Sequence, residues 1–266
     1  MDSVNRRTFP GAWGFLGLLL PAAMLPLVLV AGAASASIHP AGGAVHKPLI
    51  GKIIGIDPGH NGRNWTDPGY LGRRVWNGRE WENCDTTGTQ TARRYTEARF
   101  NFNVATYLRA DLIRAGARVV MTRQNNHGVG PCVNKRARIL DNAHANVSID
   151  IHADGGPASG RGFTILEPVA DGPNNKVIKS SVRFAREVHA AMRRLTPMLV
   201  SNYYGHNGYI FRNDLAGLNL TTMPKVLIEC GNMTNAADAR LLTRPSVQRR
   251  IASALSAAII KFLTSR

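Results

Sequence analysis

The sequence predicts a single α/β domain with a central mixed, mostly parallel sheet flanked by helices. Three observations predict it. From Leu49 onward, short apolar runs of strand length alternate with segments of helical periodicity, the pattern of a layered α/β chain. The 266 residues, 44% of them hydrophobic, suffice for one buried core. There is no internal period of about 20 to 50 residues that would signal a repeat array.

The first strand runs from Lys52 to Ile56 and ends in Asp57-Pro58-Gly59-His60. The Gly/Asn/Thr/Trp-rich segment 62–95 is too long for an ordinary connection and reads as an inserted hairpin or flap. Glu97 opens a helix with Phe100, Val104, Leu108 and Leu112 on its apolar face, ended by Ala115-Gly116. Ala117 to Thr122 reads as a strand, Val133 to Ala145 as a helix, Val147 to Ile151 as a strand leading to His152, and Gly162 to Leu166 as another strand. Lys176 to Leu195 is an amphipathic helix stopped by Pro197, and Gly208 to Arg212 is a short strand. Lys225 to Glu229 is the last buried strand, and a final helix carries the stripe Val247, Ile251, Leu255, Ile259 and Phe262. The folded domain is therefore expected at 49–266, with 37–48 as a linker.

Residues 1–36 differ in kind. Arg6 and Arg7 precede a charge-free apolar stretch closed by Ala34-Ser35-Ala36, which is the grammar of a cleaved secretory signal. Pro21 and Pro26 interrupt the stretch and argue against a retained membrane anchor. Asn5-Arg6-Arg7-Thr8-Phe9 hints at twin-arginine export as the alternative to the general route. The expected location is the periplasm, the cell wall or the medium.

Cleavage takes 33 basic and 17 acidic residues to 31 and 16, so the mature chain remains strongly basic at +15. Outside the cytoplasm such charge suits an anionic wall polymer or an acidic lipid surface better than DNA, and no zinc finger, RNP motif or basic helix supports nucleic-acid binding. Three cysteines allow one internal bridge. Cys84 and Cys132 lie in loop-like sequence, whereas Cys230 sits inside an apolar strand pattern and reads as buried filler. A Cys84–Cys132 bridge closes a loop of nearly fifty residues, worth roughly 4 kcal/mol in the chain-entropy model.

Four ionisable residues fall at the ends of predicted elements: His60, Glu97, His152 and Glu229. In open α/β sheets, ligands gather beyond the carboxyl ends of strands, so these residues can converge. Two imidazoles and a carboxylate are the ligand set of a hydrolytic zinc site, and a second carboxylate beside it would be the general base. Glu97, Asp154 and Glu229 all qualify by chemistry, and spacing does not decide which binds and which moves protons. Taken singly, each histidine also fits an ordinary loop hydrogen bond, and Glu97 a favourable contact with the helix dipole. Glu229 is harder to explain away, because a carboxylate closing an apolar run is costly to bury without a partner.

The blocks Ile54-Gly55-Ile56-Asp57-Pro58-Gly59-His60-Asn61-Gly62, Glu97 with Asn101, Ser148-Ile149-Asp150-Ile151-His152-Ala153-Asp154, and Pro224-Lys225-Val226-Leu227-Ile228-Glu229-Cys230-Gly231-Asn232-Met233-Thr234-Asn235 resemble, in order, the four signature blocks of zinc-dependent N-acetylmuramoyl-L-alanine amidases of the amidase-3 type. The resemblance is to a mycobacterial/actinobacterial-like exported form of that family. The resemblance implies one Zn2+ per chain held by His60, Glu97 and His152, with Glu229 as general base and acid. It further implies cleavage of the amide between N-acetylmuramic acid and L-alanine in peptidoglycan or muropeptides, in the service of cell-wall remodelling.

The chain departs from that pattern at Asn61, Asp150, Asp154 and Asn232, none of them a ligand position. Asp150 shares strand parity with His152 and is a candidate to orient it; Asp154 and Arg212 are candidate substrate contacts. Arg73, Arg74, Trp76, Arg79 and Trp81 in the flap either grip glycan or peptide carboxylates or only order the flap. The short Gly/Pro-rich stretch from His152 to Lys176 leaves no room for a long blocking helix, so an open site without an activator is expected. H-E-x-x-H, G-x-S-x-G and P-loop patterns are absent. The remaining rivals are a zinc peptidase acting on wall peptides and a non-catalytic wall-binding module. A monomer without a membrane anchor or nucleic-acid partner completes the expectation.

Overall fold

The computed structural model describes residues 47–265. The expected signal peptide, and the linker up to His46, lie outside the described residues.

In chain order the strands are β1 (Ile53–Pro58), β2 (Arg74–Trp76), β3 (Trp81–Asn83), β4 (Arg118–Met121), β5 (Val147–Asp154), β6 (Thr164–Pro168), β7 (Tyr209–Arg212) and β8 (Lys225–Asn232). The helices are α1 (Pro68–Leu71), α2 (Glu97–Arg114), α3 (Val133–Asn142), α4 (Ile178–Leu195), α5 (Ala216–Asn219), α6 (Ala236–Leu242) and α7 (Pro245–Thr264). The main sheet has the order β4-β1-β5-β8-β6-β7, and every pair is parallel except β6 with β8. This is the predicted mixed, mostly parallel sheet. β2 and β3 form a separate antiparallel hairpin within the inserted segment.

Strand parity divides the chemistry between the two faces. Ile54, Ile56, Ile149, Ile151, Val226 and Ile228 join Phe100, Phe184, Leu255 and Ile259 in the main apolar core under α2, α4 and α7. The neighbouring residues point the other way. Asp57, Asp150 and Lys225 are buried on that second face, where Arg136 of α3 pairs with Asp57 at 2.8 Å and Lys225 pairs with Asp150 at 2.8 Å. Buried charges persist only when paired in this way.

Two strands run further than the apolar pattern foretold. β5 continues through His152 to Asp154 and β8 through Glu229 to Asn232, with a register shift between His152 and Asp154. His152 there lines a cleft, and the fully buried Asn232 is tolerated because its side-chain amide donates to the carbonyls of Pro157 and Gly160, each at 2.8 Å. The short helices α5 and α6 were not anticipated: α5 is a single turn, and α6 is set by the cap of Asn235, whose side chain accepts from the amides of Ala237 and Asp238.

Candidate metal centre

His60 follows β1 with φ of 58°, a left-handed conformation that turns its ring across the strand ends. Glu97 is the first residue of α2. Thr96 caps that helix by accepting from the Arg99 amide, which fixes where the helix begins and aims Glu97 at the strand ends. His152 enters from β5, and its ring lies directly over Gly59. A Cβ at Gly59 would sit 2.1 Å from the imidazole, so only glycine permits the approach.

The three side chains converge. His60 Nε2 lies 3.3 Å from Glu97 Oε2, and His152 Nδ1 lies 2.9 Å from Glu97 Oε1. The two rings stand nearly perpendicular with centroids 5.0 Å apart. One donor atom from each residue falls within 4.8 Å of the other two, a spacing that suits three ligands of one cation. Among the described residues no other such group occurs.

The electrostatics agree with the donor set. Burial opposes a charge on His60, but Glu97 and Asp85 outweigh it and push its pKa up to about 10. Burial likewise opposes ionisation of Glu97, and the two histidines overcome it and hold the carboxyl well below its ordinary range. Both shifts have one cause, the close pairing of carboxylate with imidazole inside the cluster. Further donors steady Glu97: the amides of Thr89 at 2.9 Å and Ala153 at 3.3 Å, and Asn101 at 3.4 Å.

Glu229 lies on β8 directly across from His152 in the strand register. Its Oε2 is buried without a hydrogen-bond partner. Burial first, then the negative charges of Glu97 and Asp154, push its pKa well above the ordinary carboxylate range. Two carboxylates in one site are therefore driven in opposite directions.

The other expected residues divide. Cys84 and Cys132 form the disulfide, and Cys230 is buried and free. Asp150 is engaged by Lys225 rather than by His152, because both side chains share the second face of the sheet and a buried ammonium needs a counter-ion. Asp154 accepts from the Tyr203 hydroxyl and from the Gly155 amide at 2.7 Å. Arg212 is held by Asp214 and the Tyr204 hydroxyl, close enough to Glu229 to act on its charge. A cleft of about 220 Å³ opens beside the cluster between the hairpin and α5, lined by His60, His152, Glu82, Asp85, Leu215 and Gly217.

The family pattern described as N-acetylmuramoyl-L-alanine amidase, amidase-3, matches residues 54–261. The chain belongs to the amidase-3 family. Among curated relatives, an N-acetylmuramoyl-L-alanine amidase of Mycobacterium tuberculosis is 37% identical over 91% of this chain and 98% of its own length. A germination-specific N-acetylmuramoyl-L-alanine amidase of Bacillus subtilis is 26% identical over 82% of the chain and 83% of its own. Among solved structures, the N-acetylmuramyl-L-alanine amidase Ami1 of Mycobacterium smegmatis superposes with a TM-score of 0.77 at 37% identity, covering 82% of this chain and 99% of that one.

Sequence reasoning missed three residues around the cluster. Asp85 touches His60 from the flap, Arg136 braces Asp85 from α3, and Tyr203 donates to Asp154. The only signal for the first was its place beside a cysteine, and for the second an arginine on the inward side of a short helix.

Proposed function

We propose that this amidase is zinc-dependent, with one zinc ion per chain held by His60, Glu97 and His152, and that it cleaves the amide between the lactyl group of N-acetylmuramic acid and L-alanine to remodel peptidoglycan. The observation that carries the reading is the convergence of those three donors with Glu229 across the strand register from one of them. Bound there, zinc would supply Lewis acidity toward the scissile carbonyl oxygen and toward water.

The chain's own residues account for the rest. Glu229 takes the proton of the attacking water as the water oxygen bonds to the carbonyl carbon, and then delivers it to the departing amine nitrogen as the carbon–nitrogen bond breaks. Its raised pKa suits the second task, because an ordinary carboxyl would release its proton too readily at neutral pH. Glu97 is hydrogen-bonded from several sides and is suited to a fixed role as ligand. Asp154 and Arg212 flank Glu229 and are the candidate contacts for the stem peptide. Gly88 packs against His60 and Glu97, so the loop that carries it forms one wall of the site.

Residues 1–36 act in this reading as a cleaved secretory signal, and 49–266 work outside the cytoplasm as a monomer on polymer or soluble muropeptide. No helix of the described residues is long and apolar enough to cross a membrane. No helix lies between His152 and Asn175, which supports a site open to substrate.

Metal analysis together with muropeptide digestion tests the reading. The expected result is about one zinc per chain and a product pair of lactyl carboxylate and intact stem peptide with a free L-alanine amine. Release of amino acids from within the stem peptide would contradict it.

A further inference from the structure

We propose that Asp85, carried on the flap, is a positioning residue that sets the zinc affinity of the site by holding the His60 imidazole with Nε2 toward the metal. The inference rests on the zinc reading above and extends it to a residue outside the three ligands.

His60 needs holding. Its backbone is left-handed, and its ring is joined to β1 only through that turn. Asp85 Oδ1 lies 3.1 Å from Nδ1, the nitrogen that faces away from Glu97. A carboxylate accepting from one ring nitrogen fixes the tautomer, makes the other nitrogen more basic and stops ring rotation. The Thr86 carbonyl lies at the same distance from Nδ1, so the same loop offers a neutral acceptor beside the charged one. The charge is what Asp85 adds.

Asp85 is itself immobilised. Arg136 Nη2 meets Asp85 Oδ2 at 3.0 Å and donates to the His60 carbonyl at 2.9 Å, while Nη1 donates to the Pro58 carbonyl at 2.9 Å. One guanidinium thus registers the carboxylate against the backbone of the histidine it orients. Both side chains are only 3% exposed. The disulfide completes the brace: Cys84 immediately precedes Asp85, and Cys132 lies one turn ahead of Arg136. The Val133 amide also donates to the Cys84 carbonyl at 2.8 Å. A solvated flap with no part in the metal site would not require a buried carboxylate, a buried arginine and a covalent tie at this one point.

The test compares zinc affinity, by competition with a chromophoric chelator, for wild type and Asp85→Asn, with the thermal midpoint of each metal-free protein recorded in parallel. The expected result is an affinity about tenfold weaker in the variant, the low end of what outer-shell partners contribute because the Thr86 carbonyl remains. Equal affinities in two folded proteins would overturn the proposal, whatever the change in thermal midpoint. If the variant does not fold, nitrogen NMR of the zinc-loaded wild type decides. A protonated, exchange-protected Nδ1 and a metal-bound Nε2 on His60 support the role, and metal on Nδ1 refutes it. Failure of the wild type to bind zinc at all would instead overturn the metal reading on which this one stands.

Discussion

Glu97 and Glu229 are the same residue type at the same site, yet their surroundings differ in almost every respect. Glu97 sits at the start of α2 amid two histidines and three other donors, and its carboxyl is held ionised. Glu229 comes from the end of β8 with one oxygen unpartnered and two negative neighbours, and its carboxyl is pushed toward the neutral form. The difference teaches how a fold assigns roles to equivalent groups. A carboxylate surrounded by donors is fixed in place and suited to hold a cation, whereas one left short of partners keeps the freedom to gain and lose a proton.

The sharpest way to test that division is Glu229→Gln, which keeps shape and removes the titrating oxygen. Turnover is expected to fall by about 10²- to 10⁴-fold, the range of general acid–base contributions, while the protein stays folded. A steady-state assay on a soluble muropeptide measures this, and a loss below tenfold would return the proton-moving role to Asp154.

Next in size is the brace on the ligand side. Opening the 48-residue loop with Cys84→Ala and Cys132→Ala should cost about 4 kcal/mol of unfolding free energy. Denaturant titration of both proteins would detect it. The Glu229 side has no covalent tie, so the comparison predicts a larger loss of metal binding than of Glu229 reactivity when zinc is supplied in excess.

Gly59→Ala should act on the same side by steric means. Its new methyl group would meet the His152 ring, and overpacking of this kind costs about 1 to 3 kcal/mol. Weaker zinc binding with little change at Glu229 is the expected pattern; an unaltered zinc affinity would mean that the ring can move without penalty.

An effect of similar size, confined to acid pH, lies beneath the site. Burial opposes ionisation of Asp57, but Arg136 and Lys225 lower its pKa from 3.8 to about 2. Because the folded value is the lower one, this stabilisation is complete above about pH 4 and is lost as pH falls toward 2, amounting to about 2 kcal/mol. Acid unfolding of Asp57→Asn beside wild type would measure it, with the variant expected to lack that part of the transition.

Much of this arrangement was legible in the sequence. Strands β1, β5 and β8 were visible as apolar runs because they are buried on both faces, and α2, α4 and α7 were visible as stripes because one face of each meets the core. His60, Glu97, His152 and Glu229 stood out as ionisable residues at the ends of predicted elements, Glu97 at the start of a helix and the other three at or just after strand ends. The choice between Glu97 and Glu229 was not legible from spacing, because it depends on how many donors surround each group after folding. The contact of Asp150 with Lys225 was equally hidden, since the partners lie 75 positions apart and meet only through the pairing of β5 with β8. Asp85 was invisible for a related reason: a loop residue shows no periodicity, and its meaning comes from the disulfide and the arginine that fix it.

The most direct test of the central claim is the zinc content of Glu97→Gln and Glu229→Gln, purified alike and dialysed against the same buffered zinc. Division of labour predicts that the Glu229 variant retains about one equivalent of zinc while losing turnover, and that the Glu97 variant loses both. If the Glu229 variant came out metal-free, or the Glu97 variant fully loaded, the assignment of ligand and proton carrier would be contradicted.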